Sequence, residues 1–362
     1  MGVSPAARRR PIAGTPVAHL ALLPGWIAAG GLLVVALADV SLPPAYGYAV
    51  LIVGAVLFGL PHGAVDYLVP ARAAGSRPIR SLVAVGGLYL VFGGAYAALW
   101  FLAPAVAAVG FLGLTWYHWG QGDLHALVAL AGADHLRTRR RRIATVAVRG
   151  GLPMVVPLLA FPDRYRAVVA SFVAPFAGSR SLLAVLFATE VRLALGGGLA
   201  ALTVAALAVG RDGTDPRGWR LEAAETGLLW VYFAVAPPVL AVGVYFSLWH
   251  SVRHAARYAL LDGNAGGDGE CPPVVSEFTC GPALARFARD AAPATVAALA
   301  LLGVLAALVP VPPASTDGWI ALYLVLVAVL TLPHAVVVTW LDRRQTLWTP
   351  PQRGLRTRNG NR

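Results

Sequence analysis

The chain has 362 residues, of which 58% are hydrophobic and only 13% charged, and its mean hydropathy is +0.68. This composition is typical of an integral membrane protein and excludes an ordinary soluble domain. All 29 basic residues are arginine, against 17 acidic residues, which gives a net charge of +12. The absence of lysine excludes Schiff-base enzymes, P-loop nucleotide hydrolases and retinal-binding opsins, since each needs a lysine side chain. Two cysteines are too few for an iron–sulfur cluster or a cysteine-based zinc site, so a metal would need histidine and carboxylate ligands.

The arginines lie in short clusters between apolar stretches, so we interpret them as topology signals and expect no nucleic-acid partner. Clusters precede the first apolar run at Arg8–Arg10 and follow the fourth at Arg139–Arg142. Under the positive-inside rule these clusters face the cytoplasm. We therefore expect a multi-pass protein of the cell membrane with a cytoplasmic N-terminus and a retained first span, because no small-residue cleavage site follows the basic start.

Nine apolar runs have the length of about 20 residues that a membrane-spanning helix needs. They cover residues 17–38, 45–69, 82–103, 105–131, 143–161, 191–210, 238–261, 291–309 and 319–341. Their alanine, leucine, valine and glycine content is typical of packed membrane helices. The sequence therefore predicts an all-α, polytopic transmembrane helix bundle of about 8 to 10 spans.

The bundle is predicted to be a single domain, 17–342, between a basic N-terminal tail, 1–16, and an arginine-rich C-terminal tail, 343–362. Residues 165–190 are divided by proline and glycine into two short apolar pieces, which favours an interfacial or re-entrant helix. Residues 262–290 are predicted to form a polar loop.

This loop holds both cysteines, Cys271 and Cys280. The sequence leaves two alternatives for these cysteines, a disulfide or two free thiols.

Histidines inside the predicted spans are the candidates for chemistry, because ionisable side chains are costly in a bilayer. His250 and His254 are four residues apart, so a helix places both rings on one face as a bidentate metal clamp. His62 follows Pro61, which breaks the local helical ladder and allows the ring to be aimed inward. Asp66, one turn further on, is placed to accept the second ring N–H of a metal-bound histidine and to fix its tautomer.

His118 lies in an aromatic stretch, and Asp123 follows it as a second acid that we expect to orient a ligand. Candidate walls for a flat conjugated ligand are Trp116, Tyr117, Trp119 and Trp249. Packing or interface anchoring is the alternative role of these aromatic residues.

His125 lies two turns along the same helix face as His118 and is a rival ligand. His334 repeats the Leu-Pro-His pattern, and we expect it to support the ligands or to contact substrate, with simple packing as the alternative.

Taken together, the motifs place imidazoles on four spans, which is how a helix bundle builds a metal site. Four neutral imidazoles suit iron, copper or zinc, and an octahedral iron would keep two positions open for oxygen or substrate. The structural alternative is a polar network that only locks the helices together.

The motifs around His62, His118, His250–His254 and His334 resemble, in order and rough spacing, those of the Brp/Blh family of membrane β-carotene 15,15'-dioxygenases. The resemblance covers about residues 45 to 342. It implies a membrane helix bundle that cleaves β-carotene at its central double bond with O2, giving two molecules of all-trans-retinal. It also implies a catalytic Fe(2+) held by four histidines, which by motif are His62, His118, His250 and His254. Trp119 stands where the family usually has phenylalanine.

On this interpretation β-carotene and O2 are the substrates, the lipid bilayer is the medium, and a rhodopsin is the expected recipient of the retinal. The principal alternative is a non-catalytic carotenoid- or retinal-handling membrane protein that assists an opsin. A transporter with a polar site at mid-membrane is a third possibility. A di-iron desaturase is disfavoured, because its sites use several His-x-x-His-His clusters and this chain has a single His-x-x-x-His.

Overall fold

A computed structural model describes residues 16–40, 42–178, 181–262 and 280–349. Within these ranges the chain is helical and contains no β-strand, which confirms the predicted all-α class. The α-helices are α1 (Pro16–Leu37), α2 (Pro44–Gly54), α3 (Leu60–Ala64), α4 (Val69–Ala74), α5 (Pro78–Leu88), α6 (Gly94–Leu102), α7 (Pro104–His125), α8 (Arg139–Ala160), α9 (Pro162–Val173), α10 (Ser181–Leu186), α11 (Thr189–Gly210), α12 (Pro216–Val235), α13 (Pro238–Val244), α14 (Val252–Asp262), α15 (Cys280–Leu308) and α16 (Thr316–Arg344).

Several helices continue into one another through π-helical turns. These turns cover Ala55–Gly59, Tyr89–Gly93, Ala126–Leu130 and Tyr245–Ser251. A π-turn closes its hydrogen bonds one residue later than an α-helix and is often found at functional sites. Here the first leads into α3 and the last joins α13 to α14, and both of these segments carry candidate histidines.

Seven helical stretches in the described part of the chain are long and apolar enough to cross a membrane, and they make this a membrane protein. They are Val17–Leu37, Ala45–Ala74, Pro78–Leu102, Arg139–Ala160, Thr189–Gly210, Ala285–Leu308 and Thr316–Arg344. Each overlaps one of the nine predicted runs. The two other runs, 105–131 and 238–261, are helical as well, but the histidines and charged residues buried in them lower their hydropathy.

The structure differs from the sequence prediction in the segment before Pro237. The sequence indicates only a short apolar piece there, whereas the structure has the full helix α12. Glu222 and Glu225 interrupt the apolar pattern of this helix, yet both side chains are buried against partners on other helices. Helix α12 was therefore not predicted as a span, because its two buried glutamates lower its hydropathy.

Helix α15 begins at Cys280, so the C-terminal part of the predicted polar loop 262–290 is helical, while Cys271 lies outside the described residues. The stretch 165–190 is divided into α9 and α10, as its proline and glycine predict, and its interfacial position stays a prediction. Beyond α16, Leu347 is buried, so the chain is still packed past the predicted start of the C-terminal tail.

Glycines set the close approach of α7 to α8. A Cβ atom on Gly120 would overlap the Val146 carbonyl oxygen, and one on Gly150 would overlap the Trp116 carbonyl oxygen. Small residues at such positions allow membrane helices to pack backbone against backbone. The crossing fixes His118 of α7 at a defined distance from the side chains of α8.

Candidate metal centre

The first candidate histidine is aimed by an irregular backbone. The π-turn Ala55–Gly59 is followed by Pro61, which has no N–H to continue the helical ladder. His62 lies directly after this break, and its Nδ1 makes a short hydrogen bond with the Gly59 carbonyl oxygen. The other ring nitrogen, Nε2, is buried without a hydrogen-bond partner in the described chain.

All four histidines predicted as metal ligands lie together in the interior. The side chains of His62, His118, His250 and His254 are 1% to 7% exposed. Their ring centres are 4.7 to 6.4 Å apart, and the Nε2 atoms of His118 and His250 are 3.1 Å apart. Three separate segments of the chain thus bring four imidazoles to one place.

The unpartnered nitrogens of this cluster fit a bound metal ion. Besides His62 Nε2, they include both ring nitrogens of His254, while the Nε2 atoms of His118 and His250 face each other at 3.1 Å. Buried polar atoms almost always have a hydrogen-bond partner, so a purely structural network would not leave so many without one. One nitrogen from each of His118, His250 and His254 lies within 4.8 Å of the others. Neutral imidazoles of this kind suit iron, copper or zinc.

A fifth histidine, His334 of α16, belongs to the same cluster. Its ring centre is 4.7 Å from that of His118 and 4.9 Å from that of His62. Its Nδ1 lies 2.8 Å from an oxygen of Asp66. Asp66 was predicted to support a histidine, and it does lie beside one. That histidine is His334 rather than the sequence neighbour His62.

Asp123 lies in a different environment from the one that the sequence predicts. Its carboxylate accepts hydrogen bonds from Arg149 Nε at 2.8 Å, from Arg253 Nη1 at 3.2 Å and from Trp249 Nε1 at 2.9 Å. Glu225 completes the arrangement, because it accepts from both arginines. We call Asp123, Arg149, Glu225 and Arg253 the buried charge network.

Three members of the buried charge network, Arg149, Arg253 and Glu225, were not predicted from the sequence. The signal for Arg149 was available, because an arginine in the middle of an apolar run is costly unless it is paired. No comparable signal marked Glu225, since its helix was not predicted as a span. The network fixes the segment between His250 and His254, because Arg253 also lies over the Trp249 ring at 4.0 Å from its centre.

A large apolar cavity opens beside the histidines. It has a volume of about 560 Å³, within the usual range for ligand pockets. His62, His118 and His334 line one part of it. Most of the remaining wall is aromatic or aliphatic, contributed among others by Phe111, Phe172, Phe246 and Leu301. Such a cavity suits a large apolar ligand.

The four aromatic candidates have different positions. Trp119 lines the cavity, with its ring centre 5.9 Å from that of His250. Trp116 and Tyr117 instead border a separate pocket between α7 and α8. Trp249 is buried in contact with the buried charge network and is not among the described cavity-lining residues. Only Trp119 therefore has the position predicted for a substrate wall.

The structure also separates the remaining histidines from the cluster. His125 is buried at the end of α7, but no ring contact joins it to the five clustered histidines in the described chain. His135 is buried with its Nε2 2.5 Å from a Glu222 oxygen. His19 is exposed.

Comparison with known proteins identifies the family of this chain. The chain matches the family described as beta-carotene 15,15'-dioxygenase over residues 53–342. It is 54% identical to probable beta-carotene 15,15'-dioxygenase Blh of Halobacterium salinarum, over 95% of this chain and 99% of the relative. It is 36% identical to probable beta-carotene 15,15'-dioxygenase Brp of the same organism, over 83% of this chain and 85% of the relative. No solved structure matches. This chain belongs to the beta-carotene 15,15'-dioxygenase family.

Proposed function

We propose that this protein is an iron-dependent β-carotene 15,15'-dioxygenase. Its reaction breaks the central double bond of β-carotene, and each of the two carbon atoms takes one oxygen atom of O2, which gives two molecules of all-trans-retinal. The observation that carries this proposal is the cluster of buried imidazoles at the wall of an apolar cavity. Membership of the family and the 54% identity to Blh support the choice of substrate.

His62, His118, His250 and His254 are the residues that we propose as ligands of Fe(2+). All four are buried among apolar helices, where neutral imidazole is the favoured form and is also the form that binds a metal. A ferrous ion at this position supplies the one-electron chemistry that O2 needs in order to react with an alkene. Histidine side chains suit this role because imidazole binds several transition metals. The surrounding protein then determines which metal is bound and what reaches it.

The protein itself contributes position and dryness. The apolar cavity holds the polyene, and its walls exclude the water that would divert reactive oxygen species. Trp119 and Phe246 lie next to the histidines and are placed to fix the polyene beside them. No general acid or base is required for this reaction.

The surrounding bilayer delivers both substrates, since β-carotene and O2 are apolar and concentrate in hydrocarbon. We further propose that the protein lies in the cell membrane with its N-terminus in the cytoplasm, as the arginine cluster Arg139–Arg142 favours. Its retinal would pass to a rhodopsin in the same membrane.

Reaction of the purified protein with β-carotene tests the proposal. The full chain, loaded with ferrous iron and supplied with β-carotene and ¹⁸O2, should yield two retinal molecules per carotene, each with one ¹⁸O atom. His250→Ala and His254→Ala should abolish both metal binding and product, whereas the exposed control His19→Ala should retain both. Bound but unreacted carotene would identify a carotenoid-handling protein instead. Full metal occupancy in either cluster variant would contradict the proposed ligands.

A further inference from the structure

His334 lies deeper in the metal centre than a residue that merely supports the ligands. It is 4% exposed, and its ring centre is 5.5 Å from that of His254 in addition to its short distances to His62 and His118. It therefore contacts three of the four proposed ligands. One nitrogen from each of His62, His118 and His334 lies within 4.8 Å of the others.

Asp66 fixes which nitrogen of His334 faces the cluster. The carboxylate accepts hydrogen bonds from the hydroxyl groups of Tyr89 at 2.7 Å and Tyr258 at 2.8 Å, so its position is set from two sides. A carboxylate is only an acceptor, so the His334 Nδ1 atom 2.8 Å away must carry the hydrogen. The lone pair is then on Nε2, which is buried and has no hydrogen-bond partner in the described chain. This is the arrangement in which a carboxylate orients a metal-binding histidine.

Ligands of one ion lie at defined distances from one another. Two nitrogens that bind an ion at right angles, each about 2.1 Å from it, lie about 3.0 Å apart. The Nε2 atoms of His118 and His250 are 3.1 Å apart. A ring centre lies about 1.1 Å beyond its nitrogen, so with these bond lengths neighbouring rings have centres about 4.5 Å apart and opposite rings about 6.4 Å.

The trio of His62, His118 and His334 comes closest to these values. His62 and His118 are 6.4 Å apart with nearly parallel rings, as expected for opposite ligands. His334 lies between them, 4.9 Å from one and 4.7 Å from the other, as expected for a neighbour of both. His254 is 4.7 Å from His250 and 5.2 Å from His118, but 5.5 Å from His334 and 5.6 Å from His62, midway between the two expected values.

The cavity borders one side of the cluster. Its lining includes His62, His118 and His334, whereas His250 and His254 are not among the described lining residues. We propose that His334 is a fifth protein ligand of the metal centre, oriented by Asp66. This inference rests on the proposed metal centre.

A thiol introduced at position 334 tests whether this side chain reaches the metal. The parent is the full-length chain with Cys271→Ser and Cys280→Ser, so that an added cysteine is the only thiol. In this parent, His334→Cys loaded with cobalt(II) should show the near-ultraviolet thiolate-to-cobalt charge-transfer absorption, with one thiolate per cobalt. The matched control is His125→Cys, a buried histidine position outside the cluster, and it should show none.

Cobalt affinity gives a second, independent measurement. Asp66→Asn should lower the affinity about 10- to 100-fold, as expected when the partner of a ligating histidine is weakened. Normal cobalt affinity in Asp66→Asn, or a folded, cobalt-bound His334→Cys protein without the absorption, would overturn the fifth ligand and leave the four-histidine centre intact. A parent that binds no cobalt would overturn the metal centre itself and this inference with it.

Discussion

Removal of one charge from the buried charge network should destabilise the protein more than any exposed substitution. Asp123 is 1% exposed and accepts from two guanidinium groups and an indole. In Asp123→Asn one oxygen becomes an NH2 group, which cannot accept the hydrogen bond of Arg149 or Arg253. Two buried cations then share the single carboxylate of Glu225. Breaking a buried ion pair from one side costs about 3–5 kcal/mol, so we expect a loss of this size.

Unfolding of the purified protein by SDS in mixed micelles measures this loss. The control is Arg141→Gln, which breaks the pair of Arg141 with Asp212 at 2.8 Å in a partly exposed position, where a much smaller effect is expected. A double variant, Asp123→Asn with Arg149→Gln, removes one charge of each sign and should lose less stability than the sum of the single variants. Strictly additive losses, or an Asp123→Asn protein as stable as the parent, would refute the argument.

Two further predictions use matched pairs of glycines. A Cβ atom on Gly122 would lie 3.1 Å from His254 Nε2. Gly122→Ala should therefore displace that ring and lower metal affinity about tenfold or more. The control Gly113→Ala on the same helix meets open space and should leave metal affinity unchanged. Metal titration of both variants checks this, and equal affinities would contradict it. Gly86 lines the cavity and its neighbour Gly87 does not, although a Cβ atom at either has free space. Gly86→Phe should therefore reduce kcat/KM for β-carotene about 10- to 100-fold with unchanged metal content, while Gly87→Phe leaves it unaltered; equal retinal formation by the two would show that the cavity does not hold the substrate.

The clustering of His62, His118, His250 and His254 was predictable from the sequence because histidines are rare in membrane-spanning segments. A histidine deep in an apolar run is costly unless it has a role, so depth selected these four together with His334, and the family resemblance then distinguished the four as ligands. The spacing of His250 and His254 also placed both on one helix face. The helical architecture followed from run length in the same way, since only helices satisfy their own backbone within lipid.

Partnerships between helices were not predictable, because hydropathy gives depth along one helix and not the identity of its neighbours. Asp66 was expected to serve a metal-bound histidine and lies against His334, which is 268 residues away. Asp123 was expected to serve a ligand and instead pairs with Arg149 and Arg253. In both cases the residue type predicted the kind of interaction, and only the packing of the bundle decided the partner.

The two carboxylates also differ in the charge that they present to the metal centre. The charges of the buried charge network sum to zero, so Asp123 adds little field at the histidines and acts through the position of its helix. Asp66 contacts two phenol groups and a histidine among the described residues, without a guanidinium partner. A dication surrounded only by neutral imidazoles would be poorly solvated in an apolar bundle, where charges interact strongly. The carboxylate behind His334 offsets part of that charge, so metal affinity should depend on the charge of Asp66 and on the position, rather than the charge, of Asp123.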